Sequence, residues 1–567
     1  MTRPPGEPSD FLDLGDDVEV ERDVAVEMRD GVAILLDLYL PRRREEPLPA
    51  LYAVSPYQKD AVHLPVWSTF RTRETGDIAW WVRNGYAYVN ADVRGSGKSL
   101  GAPYQFFGPD EQTDLADTIA WIAGQPWCSG RVGMIGESYY AMLQWLAAAQ
   151  QPPALACMAP FDASFDLYRD FAYHGGIFNV GFMSAWRSQS LAGNNILAAP
   201  ESERPRVMTF DPVAESFRHP LEDHFWLERS AFRQLAQIRT PFYAFANWPM
   251  LGIHLRGTLL AFEEIDAPKK LRICTGLNMH SSLYNFMRVH PELLRWYDHW
   301  LKGVENGIMD EPAVTIERRQ GGGELHLPSW PPPGQARAVF QLAPGRAGVT
   351  ASLNDGVLAE AGQDPGPGAE TTEGEPATSY AYPNRSWHGY VGLGLAAVGP
   401  SGPDPYANVL TFTSEPLAAP LPILGSPVAR IWFSSDQPDA DLYLKLLDRD
   451  ADGALACPPD GISRGWLKAS HRAIEDEWSR PHRPFHRHDR AEPLAPGEVY
   501  ELLVELWPAE WELPAGHRLQ LVVAPADTPV DSTFVHFFGR RMGTDTVFHA
   551  AGRRSRVELP LRPAGLS

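Results

Sequence analysis

Six short apolar runs, "ALYAVSPY", "YAYVNADVRG", "RVGMIGES", "LACMAPFD", "PFYAFANW" and "LRICTG", each end in a polar or glycine-containing loop, and most are separated by stretches of helical periodicity. No other feature limits so tightly what this chain can fold into. Apolar runs too short to be helices, recurring with helices between them, are the buried strands of a mostly parallel sheet covered on both faces. In such a sheet the chemistry gathers at the C-terminal ends of the strands. Before the first run, "DVAVEMRDGVAILLDLYLP" places apolar residues on either side of an Asp-Gly turn, which is the pattern of a β-hairpin.

The helical stretches agree with this layering. In "DEQTDLADTIAWIAGQ", Leu115, Ile119 and Ile122 share one face and acidic residues fill the first turn, where the helix dipole favours them. "SYYAMLQWLAAAQQPP" runs on from Ser138 and is stopped by Pro152 and Pro153. Residues 164–236 interrupt the alternation with an insert rich in aromatics and then in helix formers; emerging from the functional edge of the sheet, it reads as a lid.

From 312 onward the texture changes to turn-rich, alternating strands such as "ARIWFSSD", "ADLYLKLLDRD", "VYELLVELWP" and "HRLQLVVAP", the pattern of a β-sandwich or jelly roll. The expected division is therefore an α/β core over 1–163 and 237–311, a helical lid over 164–236, and a C-terminal β-sandwich over 312–567.

A formal charge of −21 repels phosphate backbones and anionic membranes, so nucleic acid and membrane are not expected partners. Cys128, Cys157, Cys274 and Cys457 are scattered without CxxC spacing, which points to neither a zinc knuckle nor a disulfide framework. The first residues, "MTRPPGEPSDFLDLGDD", hold no apolar run suited to a signal peptide or anchor, so a cytoplasmic protein is expected.

Ser138 stands where a strand gives way to a helix, in "GESYYA". A serine hydroxyl is a poor nucleophile until a sharp turn exposes it and a base takes its proton, and the turn motif G-x-S-x-G supplies the first condition. Gly136 fits that motif, whereas Tyr140 stands at its second glycine. The competing reading makes Ser138 a helix cap.

Other motifs are weaker. "ADVRGSGKSLG" ends like a phosphate loop, but Asp92 occupies the place of its first glycine, which leaves a glycine-rich turn. "DRDADG" has calcium-loop spacing, yet Pro459 falls where a bidentate glutamate is required, which leaves a hairpin turn. "PHRPFHRHDR" brings His482, His486 and His488 together without a carboxylate motif, and reads as a solvated loop. No metal or cofactor is expected.

A base for Ser138 belongs at the end of a late strand, because the chain order in such folds is nucleophile, acid, histidine. His280, in "LRICTGLNMHSSLYNF", meets that condition; His254 and His174 compete with it, and His299 lies in a helical pattern.

Taken together, "MRDGVAILLDLYLP", "SPYQKD", "ADVRGSGKSLG", "IAGQPWCSGRVGMIGESYYAMLQW", "DLYRDFAYHGGI", "LRWYDHWLKGVENG" and "SRGWLKASHRAIEDEWSRPHRPFHRHDR" resemble, over nearly the whole chain, the cocaine-esterase-type (CocE/NonD) hydrolases, which are related to X-prolyl dipeptidyl peptidases and α-amino acid ester hydrolases. The resemblance implies an α/β-hydrolase core, a helical lid and a C-terminal jelly roll. It places the nucleophile on Ser138, accepts Tyr140 followed by the small Ala141, and assigns an oxyanion hole to the Tyr57 hydroxyl and the backbone N–H of Tyr139. It also makes "SRPHRPFHRHDR" a structural stretch.

One position departs from the family. Where the resemblance leads one to expect an aspartate, in "NWPMLGIHLRG", Met250 stands, and a thioether cannot stabilise an imidazolium. Three readings remain: Asp162 in "APFDASFDLYRD" supplies the acid from one strand earlier, Asp166 does so although it looks structural, or no acid exists and a Ser-His dyad works slowly. The expectation adopted is Ser138 as nucleophile, His280 as base and Asp162 as acid, in a serine hydrolase that cleaves a small-molecule ester or amide through an acyl-enzyme. An acyltransferase or cyclase using the same serine, and a catalytically degenerate binding protein, are the alternatives; homo-oligomerisation is left open.

Overall fold

The computed structural model describes residues 14–60, 74–197, 199–276, 282–350, 354–361, 377–381, 398–399, 402–403, 409–525, 527, 534–536, 543–550 and 552–566. All six apolar runs form strands. With the N-terminal hairpin and two later strands they make a ten-stranded sheet: β1 (Val18–Glu27), β2 (Ala33–Pro41), β3 (Leu48–Ser55), β4 (Ala87–Asp92), β5 (Cys128–Glu137), β6 (Leu155–Phe161), β7 (Phe242–Asn247), β8 (Lys269–Cys274), β9 (Val314–Glu317) and β10 (Glu324–Leu327).

The spatial order is β1-β2-β4-β3-β5-β6-β7-β8-β9-β10. Strands β4, β3 and β5 to β9 run parallel, and antiparallel strands close both edges. The parallel strands are nearly all buried, β4 and β7 along their whole length, because helices cover both of their faces.

The helices that matter for the site are α1 (Ile78–Arg83), α2 (Pro109–Ala123), α3 (Tyr139–Ala149), α4 (Leu255–Glu264), α5 (Ser282–Arg288) and α6 (His290–Lys302). Helix α2 buries Leu115, Ile119 and Ile122, the face its sequence assigns to the core. Every residue of α3 is buried. Such a helix has no solvent-facing side, which explains why its sequence is apolar all round rather than in a stripe. On the other face, the Tyr297 hydroxyl of α6 donates to the Met134 carbonyl at 2.8 Å, close to Gly133.

The insert is helical but irregular. Tyr168–Ala172 and Trp186–Leu197 are π-helical, and Tyr173–His174 pairs with Ile177–Phe178 in a short ribbon.

The large sheet continues through β9 and β10, which follow the change of texture at 312, and the second sheet begins with Arg337–Ala343. All four runs quoted for this region are strands of it: Val428–Ser435, Asp441–Arg449, Tyr500–Glu505 and Arg518–Ala524. Its pairings are antiparallel apart from Asn354–Glu360 with Leu410–Thr413, and it has its own apolar core. The fold is thus an α/β core with helices, joined to a C-terminal β-rich domain. Among the described residues, no helix is long and apolar enough to cross a membrane.

One expectation is overturned here. "PHRPFHRHDR" is not a solvated loop, since His486 and His488 are buried. His486 donates through Nε2 to the Leu503 carbonyl at 2.7 Å, and His488 Nδ1 lies 2.9 Å from His471 Nδ1. The stretch instead joins the two domains, with His482 at Glu263 and Arg483 at Glu264.

Candidate active site

Ser138 occupies the single residue between β5 and α3, with φ 60° and ψ −117°. A residue with a side chain is strained in that conformation and keeps it only when its surroundings impose it. Here the Ser138 N–H donates to the Phe161 carbonyl at 2.9 Å, and its own carbonyl accepts from Ala141 and Met142 at 2.9 and 2.8 Å. The Ser138 side chain makes no capping bond to α3, so the helix-cap reading fails.

Gly136 explains why the second glycine of the motif is dispensable. At φ +136° it passes so close to α3 that an added Cβ would run into Tyr140 Cβ and stand 2.9 Å from the Glu74 carbonyl. The crowding of the turn is relieved on the 136 side, which leaves room for a tyrosine at 140.

Tyr57 follows β3, and the Ser138 side chain is among the groups that act on its phenol. Its ring lies edge-on to Tyr139, with centroids 5.9 Å apart. Burial pushes the phenol well above its usual range, so it stays protonated. Its oxygen accepts a hydrogen bond from Trp186 Nε1 at 2.8 Å, which leaves the Tyr57 proton to be given elsewhere. Trp186 comes from the π-helical insert, a contribution that no periodicity or motif in the sequence announces. The Tyr139 N–H is in the first turn of α3, where backbone donors lack intrahelical partners.

Of the four histidines weighed, two are placed away from the nucleophile. His174 is buried against His536, Nδ1 to Nε2 at 2.7 Å, and His536 in turn meets Asp527 at 2.7 Å. His299 lies in α6 with its Nδ1 3.2 Å from the Val304 carbonyl. His280 lies outside the described residues. His254 is buried at the start of α4, and its Nε2 is 3.2 Å from Ser138 Oγ.

His254 is nevertheless not arranged as a base. The backbone N–H of Ser164 points at His254 Nδ1 at 3.2 Å, with the Ser164 hydroxyl 3.0 Å away. A backbone N–H can only donate, so Nδ1 is the bare nitrogen and Nε2 carries the proton. That proton faces Ser138 Oγ.

Asp162 directly follows β6, at φ 50°, one residue beyond the carbonyl that receives the Ser138 N–H. Its Oδ1 accepts from the Asn247 N–H at 3.0 Å and its Oδ2 from Asn247 Nδ2 at 2.6 Å. Burial, and then the charge of Glu137, push the Asp162 carboxyl well above its ordinary value. Glu137 is close because it pairs in register with Phe161 across β5 and β6. Sequence reading missed Asn247, whose only signal is that it ends the strand beside Asp162.

The same asparagine ties the end of β7 to α5 and to the end of β8. Asn285 Nδ2 donates to Asn247 Oδ1 at 2.6 Å and to the Thr275 carbonyl at 2.8 Å. Met250 is buried in the turn after β7, where its N–H donates to the Asn247 carbonyl at 3.0 Å.

Both Asp166 oxygens are engaged within its own segment. Its Oδ1 accepts from the N–H groups of Tyr168 and Arg169, both at 3.1 Å, and its Oδ2 meets Arg169 Nη1 at 2.7 Å. Burial works to raise its pKa, but the Arg169 charge and N–H group outweigh that and hold it below its ordinary value. Asp166→Asn is expected to cost on the order of 2 kcal/mol of stability, since it uncouples a buried ion pair, while turnover changes less than about threefold. Thermal unfolding and initial rates measured on the same preparation check this.

The remaining motifs are turns or ion pairs. Gly97 lets its turn close on Asp92, whose carboxylate accepts from the N–H groups of Lys59 and Lys98 at 2.6 and 3.0 Å. "DRDADG" closes a hairpin through Asp450 N–H to the Ala454 carbonyl at 2.9 Å. Among the described residues, Asp23, Asp37 and Asp60 are close enough to share a cation, and the Lys59 ammonium already sits among them, 2.8 Å from Asp37 and 3.2 Å from Asp60.

Comparison with known proteins agrees with this architecture. Residues 30–281 match the family model of the X-Pro dipeptidyl-peptidase (S15 family), and 306–534 match that of the X-Pro dipeptidyl-peptidase C-terminal non-catalytic domain. The chain is 28% identical to the cocaine esterase of Rhodococcus sp. (strain MB1 Bresler), over 90% of this chain and 91% of that one. The fold is similar to that of a CocE/NonD family hydrolase from Staphylococcus aureus, with a TM-score of 0.79, 23% identity and 99% of each chain covered. An α-amino acid ester hydrolase superposes with a TM-score of 0.67 at 19% identity, over 98% of this chain and 99% of that one.

Proposed function

We propose that this chain, which matches the models of the X-Pro dipeptidyl-peptidase (S15 family) and of its C-terminal non-catalytic domain, is a CocE/NonD-type serine hydrolase cleaving a small ester, or an amide, through an acyl-enzyme formed on Ser138. The observation that carries this reading is the state of Ser138: strained, not capping its helix, and with its hydroxyl 3.2 Å from the Nε2 of a buried imidazole.

His280 takes the Ser138 proton as Oγ attacks the carbonyl carbon, then returns it to the departing alcohol or amine. Water repeats the cycle on the acyl-enzyme. Tyr57 O–H and the Tyr139 N–H receive the oxyanion, with Trp186 fixing the direction of the phenol proton. Asp162 orients the imidazole from the end of β6. Its support is the convergence at Asn247, which donates to Asp162 on one side and on the other accepts from Asn285, which also donates to the Thr275 carbonyl; Thr275 and Asn285 flank His280 in the sequence.

Aromatic side chains pack around Trp186, the partner of Tyr57. Phe106 and Phe171 lie 5.7 and 5.4 Å from Trp186, centroid to centroid, which suits an apolar acyl or leaving group. A fluorophosphonate probe tests the proposal: stoichiometric labelling at Ser138 is expected, and an unlabelled native protein beside a labelled control hydrolase would sink it.

The pH profile should carry the mark of Glu137. Activity needs Asp162 and the imidazole in their deprotonated forms, so it is present above their folded-state pKa values and lost as pH falls through them. The Glu137 charge raises Asp162 and stabilises any imidazolium nearby. Glu137→Gln is therefore expected to move the acidic limb of kcat/KM to lower pH, by about one unit. A limb that stays in place or moves up would show that Glu137 is not electrostatically joined to the catalytic pair.

A further inference from the structure

His254 places an imidazole at the nucleophile, and its role follows from which of its nitrogens is protonated. We propose that His254 is a catalytic residue acting as a neutral hydrogen-bond donor: its Nε2–H is given to Ser138 Oγ and stabilises the negative charge that builds there as the base removes the serine proton. This rests on the reading of Ser138 as the nucleophile.

The geometry fixes the direction of donation. Ser164 N–H at 3.2 Å occupies His254 Nδ1, so the only nitrogen available to Oγ, 3.2 Å away, is the one that bears a proton. His254 itself is held in place by strain and burial. It has φ 65° and ψ −51° at the start of α4, and its carbonyl accepts from Thr258 at 2.9 Å. A side-chain residue adopts that left-handed backbone only under constraint, so the ring direction is imposed by the fold. Burial lowers its pKa to about 3, which keeps the ring neutral and its tautomer constant across the working range.

The proton inventory closes. In acylation the Ser138 proton leaves for the base, Oγ forms a bond to the acyl carbon, and the leaving group departs with that proton. His254 neither gains nor loses a proton; it keeps Nε2–H throughout and relaxes its hydrogen bond when Oγ becomes an ester oxygen. In deacylation the same N–H meets Oγ again as the acyl carbon–Oγ bond breaks.

The position has a chemical logic beside Met250. A carboxylate paired with the base makes the base stronger, whereas a donor on Oγ makes the serine a stronger acid. Both lower the same proton-transfer barrier, and the loop that lacks the expected aspartate at 250 supplies such a donor four residues later.

The test compares His254→Asn, His254→Gln and Ser164→Ala with the wild type, by circular dichroism, by the rate of fluorophosphonate inactivation and by kcat on an activated aryl ester. Asparagine tolerates the left-handed backbone but does not reach Oγ, and is expected to lower kcat and the inactivation rate by about 10- to 100-fold, the loss of one hydrogen bond to a developing charge. Glutamine retains an N–H at similar reach and should recover most of that loss. Ser164→Ala leaves the backbone N–H on Nδ1 and should stay within about threefold of wild type. Equal rates for the asparagine variant and wild type would overturn the proposal. So would a Ser164→Ala loss as large as that of asparagine, because His254 would then be a base leaning on the Ser164 hydroxyl. A wild type that never labels would instead sink the assignment of Ser138, which separates the two failures.

Discussion

Ser138→Ala is expected to lower turnover of an activated ester by about 10⁶-fold and to abolish fluorophosphonate labelling, with the melting temperature unchanged or raised. The size of the effect comes from the mechanism: without Oγ no acyl-enzyme forms, and only positioning and the oxyanion donors remain. Unchanged stability follows from the backbone. The Ser138 side chain makes no helix cap, and the bonds that shape the turn run through its N–H and carbonyl, which alanine keeps. Alanine is a poor fit to φ 60°, but so is serine, and both carry the same Cβ. Cysteine at this position would be a useful companion, because it would restore labelling by thiol reagents at the same site. A Ser138→Ala protein that keeps more than a few per cent of its esterase activity would remove the serine from the reaction.

The second large effect belongs to Asp162→Asn. Turnover is expected to fall by about 10⁴, the cost of an acid that can no longer stabilise an imidazolium or fix its tautomer. The fold should survive, since Asn at 162 can still accept the Asn247 N–H, and Asn tolerates positive φ better than most side chains. The variant also removes a charge that burial and Glu137 make unfavourable, so stability should hold or rise slightly. The informative readout is the pairing of a large kcat loss with an unshifted unfolding transition. If Asp162→Asn kept full activity, Asp162 would be only a structural partner of Asn247, and a slow dyad of Ser138 and a histidine would remain.

The core of this fold was legible because its signals are local. Buried parallel strands have to be short and apolar, so the six runs mark β3 to β8 directly, and the dipeptide Asp30-Gly31 marks the turn between β1 and β2. Ser138 was legible for a similar reason, since strand, glycine, serine and helix are consecutive. What could not be read was set by tertiary packing. His486 and His488 sit among prolines and arginines yet are buried, because a domain interface covers them. Trp186 on Tyr57 and Ser164 on His254 join residues 129 and 90 positions apart, and neither pair has a spacing signature. The tautomer of His254 was further out of reach, because it depends on the direction of one backbone N–H.

The turn that carries Met250 and His254 is gripped from outside the α/β core. The Arg464 guanidinium of the C-terminal domain donates to the Leu251 carbonyl, and Phe534 lies where a Cβ on Gly252 would come within 2.8 Å of its ring. Nearby, the Gly181 N–H of the insert donates to the Val535 carbonyl at 2.8 Å. The α/β half therefore does not by itself hold the loop that follows β7. A recombinant that joined this core to a β-domain without matching side chains at 464 and 534 would carry the loop without the contacts that hold it here.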